Sequence, residues 1–437
     1  MVIALLVAVG ILLLCNIMSA RAERRHRLIA DLPASKTSGV FVGLVEISGR
    51  IESESPLTSN LAKTRCVWYR WSVSESWSRQ EMETTTDSEG HSTSHYVMRH
   101  GSEVVAHGGD LRPSFMLRDD HGTLRILPLG ADIRPLRVFH VTCTPSDPRY
   151  FAMGPAHELA SSDHQRVFEE TALLVEANVC VIGQARERTD AAALEIARDA
   201  NAPVFVISIK DEHAVATGYG WNALAWALGG LAALITGACL LPNAGIPQEH
   251  VMPLVVGAIS TYLFVWFLCW LMVAYNSLIE LRHRVRQAWA NVDVQLKRRT
   301  DLIPNLVQMV EGLSHHEQDV QVELAHLRTQ LVATAPGQPG PDPSSCAPAL
   351  RILAERYPAL TADHAFATLA STLEDCEERV ALANTYYNDI ATFLNTRLQT
   401  GFGILFTSMG GFQVQPLLQS GSFPRRPEPA VPTGSAQ

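Results

Sequence analysis

Three hydrophobic patterns alternate along the chain. Uncharged apolar runs occupy residues 2–20, 221–241 and 251–275. Each is close to the roughly 20 residues that cross a hydrocarbon core. Between the first two, residues 36–210 break into short runs such as SGVFVGLVEISGRI, TRCVWYRWSV, TLRILPL, VCVIGQA and PVFVISI. These are rich in Val, Ile, Phe and Trp and bounded by turn residues, which predicts strands. After the third run, Leu278, Leu281, Val285, Trp289, Val292, Leu296, Ile303, Leu306, Val310 and Leu313 recur mostly at steps of three or four. That is one face of a helix, and a second such stripe runs from Phe366 to Leu398. The fold class that follows is a multi-domain α+β membrane protein. It has a β-rich domain at 36–210, three transmembrane helices and an antiparallel helical bundle at 276–418.

Local signals refine this outline. Asp119-Asp120-His121-Gly122 reads as a hairpin turn, and the polar stretch 78–95 as the solvated loop of a hairpin whose strands carry Trp71 and Tyr96. Residues 189–200 read as a short helix. In the long helix of 276–332, Pro304 predicts a kink or a fresh start, with Asp301 near an N-cap. The Pro/Gly-rich stretch 333–349 reads as a linker, Tyr357-Pro358 as a break in the second helical region, and 420–437 as a disordered tail.

Charge then sets orientation. Arg21, Arg24, Arg25 and Arg27 follow the first run, the link PNAGIPQEH has no Lys or Arg, and Arg282, Arg284 and Arg286 follow the third. The positive-inside rule places the N-terminus outside and both soluble regions in the cytosol. The basic flank on the wrong side of the first run makes it an anchor rather than a cleaved signal. A net charge of −9 argues against a nucleic-acid partner. The lipid bilayer and unidentified proteins remain as partners.

Candidate chemistry is sparse. Cys15, Cys66, Cys143, Cys180, Cys239, Cys269, Cys346 and Cys376 form no C-x-x-C pair, so neither a disulfide framework nor a zinc site is expected. Asp119 and Asp120 are better explained by their turn than as paired catalytic carboxylates. His107, His121 and His140 lie on separate elements, and no nucleotide-binding glycine motif is present. No catalytic, metal-binding or cofactor-binding residue is assigned, and the chain is expected not to be an enzyme.

Two stretches carry family resemblances. GLVEISG, CVWY, FMLRDDHGTLRILPLGA and FEETALLVEANVCVIGQA, in that order, resemble the GIDE domain. That is a β-rich module found between membrane spans in a mitochondrial ubiquitin ligase and in prokaryotic proteins. The Cys/His ladder of the ligase's RING is missing, so ligase activity does not carry over. YNSLIELRHRVRQAWANVDVQLKRRTDLIPNLVQMVEG, ERYPAL and LEDCEERVALANTYYNDIATFLNTRLQ resemble the LemA family. Trp289, Asp293, Gln295, Lys297, Arg298, Arg299, Asp301, Pro304, Asn305, Tyr387 and Asn388 match its motif. The resemblance implies a membrane-anchored, cytosol-facing bundle at a bacterial inner membrane and no particular reaction. These residues form either a partner-binding surface or structure: Trp289 in the core, Asp301 as a cap, and the Lys-Arg-Arg run a solvated or lipid-facing charge group. The functional expectation is a non-enzymatic scaffold or adaptor concerned with envelope stress or membrane organisation. The alternative is an accessory component or enzyme of a ubiquitin-like modification pathway.

Overall fold

The computed structural model describes residues 2–86, 92–188, 190, 193–200, 202, 204–209, 212–240, 248–313, 364–401 and 403–418. The readings on the linker, on the break at Tyr357-Pro358, on the tail and on the first bundle helix beyond Leu313 lie outside these residues. Two compact units emerge, Lys36–Gly218 and Met1–Ser35 with Tyr219–Gln437.

The elements, in chain order, are α1 (Val2–Ala30), β1 (Ala34–Ser35), β2 (Gly43–Glu52), β3 (Leu57–Thr58), β4 (Arg65–Thr86), β5 (Ser92–Leu111), β6 (Phe115–Asp119) and β7 (Gly122–Ile126). They continue with β8 (Asp132–Arg134), β9 (Leu136–Cys143), α2 (Arg149–Ala152), β10 (Ser162–Leu174), β11 (Asn178–Glu187), β12 (Leu194–Ala197) and β13 (Val206–Ser208). The remaining helices are α3 (Glu212–Leu240), α4 (Gln248–Leu313), α5 (His364–Gln399) and α6 (Gly403–Gly410).

In the first unit, β2, β6, β7, β12 and β11 pair in a closed ring, a five-stranded barrel. Closure removes edges that an open sheet would expose. Its interior is Val45, Ile47, Leu117, Leu124, Ile126, Val181 and Ile196, all buried. The β6–β7 turn forms as its sequence predicts, but Asp119 is only partly exposed. Burial alone would raise its pKa; hydrogen bonds from Thr37, His121 and Gly122 outweigh that and hold the carboxyl below its ordinary range.

The second sheet runs β3-β4-β10-β9, with β5 on β4. Two expectations fail in this unit. Residues 78–86 and 92–95 are strand, not loop: β4 continues to Thr86 and β5 begins at Ser92, paired from Trp68↔Leu111 to Thr86↔Ser92 with one register shift at Val73/Ser74. The segment lacks apolar alternation because the ribbon is solvated on both faces, while its Thr and Ser residues pair readily across strands. The helix over 189–200 is replaced by strand β12, antiparallel to β11 and parallel to β7. Its LEIA run, buried at Glu195, Ile196 and Ala197, is too short for helical periodicity to decide, and sheet pairing takes it.

Buried charges hold the loops of this sheet. Arg166 and Glu75, both 0% exposed, pair at 2.9 Å. The same guanidinium donates to the carbonyls of Tyr150, Pro155 and His157 at 2.8–2.9 Å. Glu170 accepts from the backbone N–H groups of Asn60, Leu61 and Ala62 at 2.7–3.2 Å. Burial would raise the pKa of Glu75, but hydrogen bonds from Ser162, Arg166 and Leu159 carry it below the ordinary range.

In the second unit α1 and α3 are helical across the first two apolar runs. Among the described residues one helix, Val251–Leu302 within α4, is long and apolar enough to cross a membrane. α4 continues without a break through Pro304 to Leu313, so the fresh start expected there does not occur and Asp301 lies within the helix, not at a cap. The proline removes one N–H and frees the Thr300 carbonyl, and the helix carries that loss where Asp301, Pro304 and Asn305 are exposed.

Candidate functional site

α4 and α5 meet through the stripes that the sequence carries. Leu278, Leu281, Val285, Ala288 and Val292 are buried on α4; Leu373, Cys376, Val380, Tyr387, Ile390, Leu394 and Leu398 are buried on α5. Trp289 meets Tyr387 edge-on with ring centroids 5.5 Å apart. Further along α4, the Gln295 carbonyl accepts from the Cys376 thiol at 3.6 Å. Rising numbers on one helix meet falling numbers on the other, so the pair is antiparallel.

The foot of the pair is tied to α1. Arg397 donates to Asp31 at 2.7 Å, Arg284 donates to the Leu28 carbonyl at 3.2 Å, and Arg24 pairs with Glu280. The Arg27 guanidinium lies 5.2 Å from the Trp270 ring centroid. The basic cluster after the first apolar run is therefore engaged in holding helices together as well as setting charge.

Past Gln399 the chain doubles back. Phe406 and Phe412 pack on Tyr275, and Arg282 stacks over Phe412 at 4.9 Å. Residues 415–418 then run along α5 as an extended strap. The Asn395 side chain donates to the Gln415 carbonyl at 2.9 Å and accepts from the Gln415 N–H at 2.8 Å. Asn388 does the same to Leu418, at 2.9 and 2.8 Å. Tyr387 donates its hydroxyl to the Pro416 carbonyl at 2.9 Å. The spacing explains the fit: seven helical residues rise about 10.5 Å, and three extended residues span about 10 Å. Each amide offers one donor and one acceptor, the complement of a peptide unit.

A family model described as the LemA family matches residues 288–432, which takes in the seam from Ala288 onward and its strap, and leaves Leu278, Leu281 and Val285 N-terminal to it. The C-terminal region is a LemA-family region. A second model, GIDE, described as E3 Ubiquitin ligase, matches residues 82–241. That match begins inside β4, so GLVEISG and CVWY lie N-terminal to it. No curated protein matches the chain.

Within the LemA-family region the motif residues differ in burial and in what they touch. Trp289, Tyr387 and Asn388 serve the seam and the strap. Arg299 is buried, not solvated as its neighbours in the Lys-Arg-Arg run are. Asp293 and Gln295 are half-buried, each with one side-chain oxygen shut away from solvent and without a hydrogen-bond donor. Lys297, Arg298, Asp301, Pro304 and Asn305 are all exposed. Steps of three and four residues put these five on one side of α4.

Sequence reasoning missed Asn395, Asp31, Arg166, Glu75 and Glu170. A signal for the first exists: Asn384, Asn388 and Asn395 recur at spacings of four and seven, one helical face. In the GIDE-like unit Cys66 and Cys143 are poor nucleophiles. Burial, then the nearby Glu170 and Asp110 charges, pushes Cys66 up to about 11, and burial raises Cys143 as well. The six described cysteines are free thiols, five of them buried.

Proposed function

We propose that this chain is a membrane-anchored, non-enzymatic scaffold that presents a GIDE-like and a LemA-family region on the cytosolic side of a bacterial inner membrane. The observation that carries the reading is the division of the motif residues. Packing explains Trp289, Tyr387 and Asn388, whereas nothing among the described residues requires the polar stripe of Lys297, Arg298, Asp301 and Asn305 to be what it is. An exposed helix face that displays both charge signs and an amide suits a protein partner better than a small substrate. In this reading α1, α3 and α4 all cross the bilayer. Interhelical hydrogen bonds support it: Ser19 donates to the Ala223 carbonyl at 2.9 Å and Tyr262 to the Ala227 carbonyl at 2.9 Å, as polar side chains do between helices in lipid. The arginines of Arg21–Arg27 and Arg282–Arg286 give the orientation.

A photo-crosslinker placed at Arg298 or Asn305 in native membranes tests the scaffold. A reproducible partner, lost on Lys297→Glu/Arg298→Glu, is expected; a chain that cross-links to nothing overturns the reading. Reporter fusions ending at Gly109 and at Gln437 test topology, and both are expected to report cytosol.

The description of the matched GIDE model favours one second reading, an accessory role in a ubiquitin-like modification pathway. The raised thiols of Cys66 and Cys143 argue that such a role uses no cysteine nucleophile of this unit. Substituting Cys66, Cys143 and Cys180 by Ser one at a time is expected to leave any associated modification unchanged.

A further inference from the structure

Past Ser78, the β4–β5 ribbon has no other strand beside it among the described residues. From Trp77↔Gly101 to Thr86↔Ser92 it extends for about 30 Å at 3.4 Å per residue. A two-stranded ribbon of this length with both faces in solvent is marginal by itself. The outer edge of β5 carries no proline and stays regular until the bulge that leaves Val105 unpaired between Val104 and Ala106. Those are devices that natural edges use against pairing, and here they begin only at Val105.

The two faces of the ribbon differ. One holds Met82 opposite Tyr96, Gln80 opposite Met98 and Ser74 opposite Val104, with no acidic or basic residue other than His100. Met82 and Tyr96 are 64% and 72% exposed. The other face carries the charges, and two of its cross-strand pairs are of like sign: Arg79 opposite Arg99, and Glu75 opposite Glu103. Like charges directly opposite destabilise a ribbon. Arg99 finds Glu81 diagonally at 2.9 Å, with both side chains about half exposed, and Glu75 is taken by Arg166. Glu103 is exposed.

We propose that the outer edge of β5 is a docking site for β5 of a second copy of this chain, antiparallel about a two-fold axis at Gly101. In that register Arg99 of each copy lies opposite Glu103 of the other, on the charged face. Met98 of each copy lies opposite Val104 of the other, on the uncharged face. No like-charge pair forms across the axis. Gly101 suits the axis, because the space a side chain would take there is filled by the Trp77 indole of its own ribbon, 2.6 Å from where a Cβ would stand. The two ribbons become one four-stranded sheet, and the pairing stops where the Val105 bulge interrupts the edge. This proposal does not rest on the scaffold reading.

The test uses the full chain in nanodiscs, with mass read by light scattering across a dilution series. A dimer is expected. Arg99→Glu and Glu103→Arg each place like charges opposite twice per dimer, and each is expected to weaken dimerisation about tenfold or more. The double variant Arg99→Glu/Glu103→Arg restores opposite charges and is expected to recover the wild-type constant, which a merely damaged ribbon would not do. Under mild oxidation, Met98→Cys mixed with Val104→Cys is expected to give a cross-chain disulfide, and Met98→Cys alone none. A monomeric wild type, failure of the double variant to recover, or self-linking of Met98→Cys would each overturn the proposal.

Discussion

The two units solve the same problem with different chemistry. In the β unit, irregular backbone is held by buried charge: Glu170 takes the N–H groups of residues 60–62, and Arg166 takes three carbonyls while paired with Glu75. In the helical unit the strap is held by neutral amides and a phenol, Asn388, Asn395 and Tyr387. Charged hydrogen bonds are roughly twice as strong as neutral ones, but they leave an uncompensated charge when one partner goes. Amide pairs are individually weaker and fail gently. A loop fixed by charge is thus part of its domain's fold, whereas a strap fixed by amides is a segment that can be released with little disturbance to the helices beneath it.

The sharpest break comes from Arg166→Leu. It strands the Glu75 carboxylate and three carbonyls in the interior, a loss of about 3–5 kcal/mol. Hydrogen exchange in the full chain should show β10 and residues 150–157 losing protection together, with α5 unchanged. Glu170→Gln is milder. It keeps the shape but replaces one acceptor oxygen with a donor that faces the N–H groups of residues 60–62, costing about 1–3 kcal/mol. Faster exchange confined to Asn60, Leu61 and Ala62 is the expected readout.

How far these features could be read from the chain follows the same division. The strands around Cys66, Phe115 and Val179 were legible because each is bounded by turns and rich in apolar residues that meet a core, on both faces in the case of Val179–Gly183. The ribbon over Ser78–Thr86 was not, since a strand with no buried face has no alternation to show. LEIA was lost for a different reason: the choice of strand is made by β11 and β7, distant in sequence. Arg166 and Glu170 look like surface charges in HQRVFEET, and only the fold turns them inward. On the helices the stripes revealed the antiparallel seam in advance. The strap was hidden because Gln415–Leu418 has no periodicity of its own; its pattern is written in the asparagines of α5 instead. Pro304 does not start a new helix because one lost ladder hydrogen bond at an exposed position is too small a cost to end α4.

Acid separates the two kinds of restraint without any substitution. Glu75 and Asp119 have folded-state pKa values below their unfolded ones. Each therefore stabilises the β unit fully above the ordinary carboxylate range, and that contribution is lost as pH falls through the folded value. After correction for intrinsic exchange rates, β10 and the β6–β7 turn should lose protection on acidification from neutral pH. The amides of Gln415 and Leu418 are held by groups that carry no charge at either pH, so their protection should not follow. A strap that loosened in step with β10 would show that the restraint on it is electrostatic after all.

The smallest effect addresses the strap itself. Asn388→Ala removes one donor and one acceptor at Leu418, and Asn395→Ala does so at Gln415; each is expected to cost about 1 kcal/mol, near the mean for a neutral hydrogen bond. Both sites are solvent-accessible in part, so the freed peptide groups find water and no buried orphan remains. Because the two amides grip one short segment, releasing one end should make the other easier to lose. The double variant should then cost less than the two single losses added together, a coupling of a few tenths of a kcal/mol or more. Asn388→Asp gives the control. It keeps the acceptor for the Leu418 N–H but sets a carboxylate against the Leu418 carbonyl, so at neutral pH it should release the strap at least as fully as alanine. Protonating that carboxyl restores a donor, and protection at Leu418 should return in acid, the opposite of the trend expected for β10.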